Sequence, residues 1–180
     1  LKTNSGRNTA IDRKNTIRLL QQLLSEVRRG PYPKVHFLHG ALTEKEVMSL
    51  YRHPKIKSLV SLTRGEGYGL PILEAAVSEL PVIATGWSGH LDFMNLGKYS
   101  SVEYDLVDIH PSRIDNEVFI PGSKWAMPRE KDVKRRLKKF RNSHKLPKQW
   151  ATNLAPTLRD SFSQESINKK YDECLMRFIE

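Results

Sequence analysis

The strongest constraint on the fold is an alternation in the middle of the chain. Residues 58–62 (SLVSL) are a short apolar run and 64–69 (RGEGYG) a glycine loop, while 70–79 (LPILEAAVSE) have helical spacing and 81–85 (PVIAT) are apolar again. Short apolar runs bounded by turn residues read as buried strands. Strands alternating with helices at this length argue a mainly parallel sheet with helices on both faces. The fold class that follows is α/β, layered α/β/α, with 180 residues forming a single domain.

The pattern extends in both directions. Residues 2–15 (KTNSGRNTAIDRKN) read as a loop, after which Ile17, Leu20, Leu24 and Val27 fall at helical spacing until GPYP at 30–33. Residues 35–38 (VHFL) read as a buried strand ended by His39 and Gly40. Thr43 and Glu46 form a capping box, and the helix they start should carry Val47, Leu50 and Tyr51 inward and end before Pro54. Beyond PVIAT come the loop GWSGH and a short helix toward Met94. Residues 101–108 read as a strand or a pair, 109–128 as irregular and 130–141 as a basic helix. One or two more helices run from Ala151, with Cys174 expected to be buried in the last of them.

Charge excludes some function classes and raises others. The net charge is +10, and the excess is localised. Residues 131–148 hold nine basic residues and one acid, residues 1–30 seven basic and two acids, and the remainder is slightly acidic. Such polarity points to an anionic partner. A single cysteine excludes a disulfide scaffold, and the scattered histidines lack zinc spacing. No apolar run reaches the roughly 18 residues that span a bilayer. The first residues have no signal-peptide character, and a chain opening on Leu1 is expected to be cut from something longer.

The glycine loop carries the chemistry. It sits where a strand's carboxyl end turns into a helix, the edge at which open α/β sheets bind ligands. Gly65, Gly67 and Gly69 let the backbone approach a ligand, and Pro71 suits a first helical turn. The helix start suits a phosphate. Glu66 and Glu74 would repel a bare phosphate but accept from sugar hydroxyls. A ligand with both diphosphate and hydroxyls satisfies the whole pattern.

Glu66 and Glu74 resemble the two ends of the E-x7-E signature of retaining glycosyltransferases of the group 1, or family 4, type. The P-V-I-A-T run with the following W-S-G-H turn, the Lys124-Trp125-Ala126 element, Asp12-Arg13-Lys14-Asn15 and the final SFSQESINKKYDECL are similar to further elements of that family, in family order. The resemblance implies a Rossmann-like domain, the donor-binding half of a two-domain GT-B enzyme. The helices from about 151 to 180 would pack back or cross toward an N-terminal domain that this chain lacks.

By the same resemblance, Glu74 meets the ribose and Glu66 the transferred sugar. The amides of Gly67, Tyr68, Gly69 and Leu70 meet sugar and diphosphate, and Leu38, His39 and Gly40 border the nucleobase. Lys14, with Arg7 or Arg13, neutralises the diphosphate. Catalysis would rest on Glu66 and Lys14, with no bound metal or cofactor and the nucleotide sugar as co-substrate. The partners implied are that donor, a saccharide, lipid or protein acceptor, and the N-terminal domain, without which this half binds donor and does not turn over. The location implied is cytoplasmic, with a peripheral position at an anionic membrane open. The alternative is a module that uses residues 131–148 to bind nucleic acid or another anionic surface; no aromatic interleaving of the base-stacking kind accompanies that segment.

Overall fold

In the computed structural model, which describes residues 1–3, 6–28 and 30–179, the chain divides into two units, Leu1–Val47 and Met48–Glu180. About half of the described chain is helical and the parallel sheets are short, a mixed α/β arrangement.

In the first unit β1 (Lys2–Thr3) pairs in parallel with β2 (Leu38–His39), in the register Lys2 to Leu38 and Thr3 to His39. Between them runs α1 (Ala10–Val27). This corrects the expectation of a loop over 2–15, because the helix starts inside it. Thr9 and Asp12 form a reciprocal capping box in which the Thr9 hydroxyl accepts from the Asp12 amide at 3.2 Å and the Asp12 carboxylate accepts from the Thr9 amide at 2.9 Å. Aspartate in the third helical position does the work that glutamate does in the usual box. The expected buried strand over 35–38 is also corrected: Val35 is exposed, as is Leu38, and only Leu38–His39 is paired. Helix α2 (Glu44–Tyr51) has the capping box foreseen at its start, the Thr43 amide donating to Glu46 at 2.8 Å.

The second unit is organised around a three-stranded parallel sheet. β3 (Leu59–Ser61) and the helix α3 (Leu70–Val77) precede β4 (Val82–Thr85), and α4 (Leu91–Met94) leads on to β5 (Ser100–Val102). β4 lies between β3 and β5, and all four of its residues are buried. Side chains of β4, α3 and α4 form the core with Leu154 and Leu158. Burial of each large apolar side chain contributes roughly 1.5–3 kcal/mol, which is why PVIAT and LPILEAAV were legible as apolar runs.

Residues 109–128 are not irregular throughout. β6 (Tyr104–Asp108) pairs antiparallel with β7 (Lys124–Pro128), with a single turn of 3-10 helix at Pro111–Arg113 between them. Three helices follow: α5 (Glu130–Asn142), α6 (Lys145–Ser161) and α7 (Gln164–Ile179). α6 begins six residues before the expected Ala151, while Leu154, Ala155 and Leu158 bury its inward face. Cys174 is exposed on α7, not buried, since Tyr171, Leu175 and Phe178 around it are exposed too.

Helix α3 ends on a Schellman turn in which the Leu80 amide donates to the Ala75 carbonyl at 3.0 Å and the Glu79 amide to the Ala76 carbonyl at 3.0 Å. The left-handed position of this turn usually belongs to glycine, yet here it is Glu79, at φ 59°. Its carboxylate accepts from Arg159 of α6 at 3.3 Å, and Arg159 also donates to the Val77 carbonyl.

The basic helix α5 is anchored by its one buried charge. Asp132 accepts from the Glu103 amide at 2.9 Å, from Arg135 Nε at 2.8 Å and from Arg136 Nε at 3.2 Å. Burial raises the pKa of this carboxyl, but the Glu103 amide and the two guanidinium groups outweigh it and hold the value below the ordinary 3.8. A depressed folded value means that stabilisation is full above the unfolded pKa and is lost as pH falls through the folded one. Asp132→Asn should therefore cost about 2 kcal/mol at neutral pH, the range for hydrogen bonds to a charged group. The melting curves of variant and parent should converge as pH falls below about 4; curves that stay parallel to lower pH would contradict the ion pairing.

Candidate functional site

The loop from β3 to α3 is tied down on three sides. At its start the Thr85 hydroxyl, from the end of β4, donates to the Thr63 carbonyl at 2.9 Å. The Ala126 amide of β7 donates to the Arg64 carbonyl at 3.0 Å, and the Arg64 guanidinium lies 4.3 Å from the centre of the Trp125 ring. Trp125 therefore packs, and its packing holds the loop. At the centre, Ser88 Oγ accepts from the Glu66 amide at 2.9 Å and donates to the Glu66 carbonyl at 2.6 Å, while the Gly89 amide donates to the same carbonyl at 3.1 Å.

Two glycines are required by this geometry. Gly69 caps α3 in a left-handed conformation, φ 87°, and a Cβ there would sit 2.9 Å from the His90 Cβ. A Cβ on Gly89 would overlap the Gly67 carbonyl. The two loops thus touch backbone to backbone, and both main-chain groups of Glu66 are consumed. Its half-buried carboxylate has no hydrogen-bond partner among the described residues.

His90, the last residue of the GWSGH turn, is fully buried under this loop. Its Nε2 lies 2.8 Å from the Thr85 carbonyl, an acceptor that fixes the ring as the Nε2–H tautomer. Nδ1 is buried without a partner among the described residues. Burial pulls the His90 pKa below its ordinary value, against the Thr85 carbonyl and the Glu66 carboxylate, which pull it up. The ring is thus neutral at pH 7 and acts as an apolar wedge with one unused acceptor. Ser88 and Thr85 were not singled out by sequence reasoning; their signal was their place in the turn after PVIAT.

Glu74 is the fifth residue of α3, one turn in, as expected. It is half-buried and accepts from the Tyr51 hydroxyl, whose pKa burial and then the Glu74 charge push up to about 12. Tyr51 stays a donor across the physiological range. Tyr68 packs against Phe93 with the rings tilted by 57° and their centres 5.3 Å apart, and Leu70 is the exposed first residue of α3. Pro71 follows in the first turn and has no amide hydrogen to offer a ligand.

The remaining predicted residues belong to the first unit. Arg7 lies in the turn wrapped around Asp12, donating its amide to that carboxylate at 3.1 Å. The capping bonds from Thr9, ahead of the Arg7 amide, hold the Asp12 pKa down. Arg13 and Lys14 do not precede α1 but stand inside it, exposed. Leu38 and His39 form β2, and Gly40 follows at φ 107°. His39 Nε2 is buried without a partner among the described residues. Among those residues no group of three or more His, Cys, Asp or Glu is placed to hold a metal ion, and no helix is long and apolar enough to cross a membrane.

No protein-family model, no curated protein and no solved structure matches this chain. The site therefore stands on its own geometry. Gly89→Ala forces the two loops apart and should cost about 1–3 kcal/mol, the range for overpacking a tight contact. Hydrogen exchange at the Glu66 and Gly89 amides should accelerate in this variant; unchanged protection would show that the backbone contact does not hold the loop.

Proposed function

We propose that this chain is the donor-binding domain of a retaining glycosyltransferase of the group 1, or family 4, type, with a Rossmann-like α/β/α architecture that forms half of a GT-B enzyme. One observation carries the reading. Glu66 presents a carboxylate with no hydrogen-bond partner among the described residues on a loop whose backbone is fixed by Ser88 and Gly89, at the carboxyl end of β3 and the start of α3. A fixed acceptor beside a helix start suits a ligand that carries hydroxyls and a diphosphate together.

In this reading the Glu66 carboxylate accepts from hydroxyls of the transferred sugar, and Glu74, already oriented by Tyr51, accepts from the ribose. The amides of Gly67, Tyr68, Gly69 and Leu70 approach sugar and diphosphate. Lys14, with Arg7 or Arg13, takes the charge of the leaving diphosphate, while Leu38, His39 and Gly40 border the base. Transfer with retention develops positive charge on the sugar, and a preorganised carboxylate stabilises it without reorganisation. Enzymes of this type hold the acceptor in a second domain, so turnover is assigned to the two-domain enzyme. Its location would be cytoplasmic.

Titration with a nucleoside diphosphate and with its sugar conjugate separates the two glutamates. Glu74→Gln should weaken both ligands, by about 1.5–3 kcal/mol, the range for hydrogen bonds to a charged group. Glu66→Gln should leave the nucleoside diphosphate nearly intact and weaken only the sugar form. Equal losses on both ligands for Glu66→Gln would reassign that residue, and no binding of any sugar nucleotide by the parent chain would overturn the reading.

A further inference from the structure

The cations of α5 and of its N-cap fall into two sets. Arg129, Arg135 and Arg136 face acids: Arg129 Nε lies 2.9 Å from Asp105, Arg135 pairs with Asp132 and with Glu103, and Arg136 lies 3.2 Å from Asp132. Lys131, Lys138, Lys139 and Arg141 have no ion-pair partner among the described residues, and Lys134 meets only the exposed Glu130 of its own helix. Lys131, Lys134, Lys138 and Arg141 recur at i, i+3, i+7 and i+10. At 3.6 residues per turn they fall within an arc of about 80° along a line of about 15 Å.

Such a stripe opposes its own helix, because like charges three and four residues apart repel. The helix stands because Asp132 fastens its other side. That anchoring also fixes where the stripe points, since the arginines are turned to Asp132, Asp105 and Glu103 and the lysines are left outside. Exposed Leu137 borders the stripe, whereas the half-buried Val133 and Phe140 lie on the side of the helix turned away from it. A cationic line on an outward helix face, with one exposed leucine at its border, suits the headgroup layer of an anionic bilayer.

Past the end of the helix, Lys148 lines an open groove of about 360 Å³ together with Arg52 and Lys57. The one acid of that groove, Glu79, is already engaged by Arg159 and Lys148.

We propose that the outward face of α5 docks on an anionic phospholipid bilayer. Three of the four cations in the stripe are lysines. An ammonium is a point charge with no preferred fork, suited to a fluid array of headgroups, whereas nucleic-acid sites favour arginine forks. No aromatic side chain interrupts the stripe to stack on bases. The inference stands apart from the donor-site reading, because none of these residues belongs to it.

Sedimentation of the chain with vesicles tests it. The chain should pellet with mixed phosphatidylserine and phosphatidylcholine vesicles, less so as salt rises, and not with phosphatidylcholine alone. Each stripe cation removed should lower partitioning about fivefold, the equivalent of about 1 kcal/mol per charge near such a surface. The variant Lys131→Gln/Lys134→Gln/Lys138→Gln/Arg141→Gln should lose pelleting without a fall in melting temperature. Lys131→Arg/Lys134→Arg/Lys138→Arg should retain pelleting. Equal pelleting with neutral vesicles, or full pelleting of the glutamine variant, would overturn the inference. Release from anionic vesicles by duplex DNA at equal phosphate concentration would overturn it in favour of a nucleic-acid surface.

Discussion

The second unit depends on one close approach, that of the backbone after β3 to the backbone after β4. With glycine at 89 and the Gly67 carbonyl directly over it, no side chain fits between the two loops. Ser88 and Gly89 then saturate both main-chain groups of Glu66. Parallel strands make this possible, since both loops leave the same edge of the sheet. β7 closes the third side through the Arg64 carbonyl and the Trp125 ring. A loop that would otherwise be mobile becomes a fixed platform, and the properties of Glu66, His90 and Gly69 all follow from that rigidity.

Electrostatics is sorted in the same spirit. Carboxylates that hold structure are matched closely: Asp12 by the Thr9 cap, Glu46 by Thr43, Asp132 by one amide and two guanidinium groups. Glu66 alone among the residues argued here has its backbone fixed and its charge unmatched, and the lysines of α5 are its cationic counterpart on another face. Unmatched charge on a rigid support marks a surface prepared for something outside the chain.

Much of this was legible in the sequence because burial writes period and length into it. SLVSL, PVIAT and LPILEAAV announced β3, β4 and α3, and Thr43 with Glu46 announced α2. What failed to show had physical causes. Asp12 concealed the start of α1 by taking the third position of a capping box among loop-forming residues. β7 was hidden because KWAMP alternates only weakly and owes its strand to the pairing with β6. Cys174 was misplaced because the apolar residues of α7 are exposed, so periodicity gave the helix without giving burial. The places of Glu66 after β3 and of Glu74 in α3 were readable from spacing, whereas the Ser88 clamp, the Tyr51 bond and the burial of His90 arise from contacts that spacing does not encode.

The Glu79 turn has a consequence for the order of events during folding. A left-handed glutamate costs about 1–2 kcal/mol relative to an unstrained residue, and what offsets it is Arg159, 80 positions later in the chain. A nascent chain that has not yet made α6 therefore has an α3 whose final turn is unfavourable, and with it a loosely set entry into β4. Long-range closure of this kind slows folding and makes the sheet and the helix that covers it form in one cooperative step.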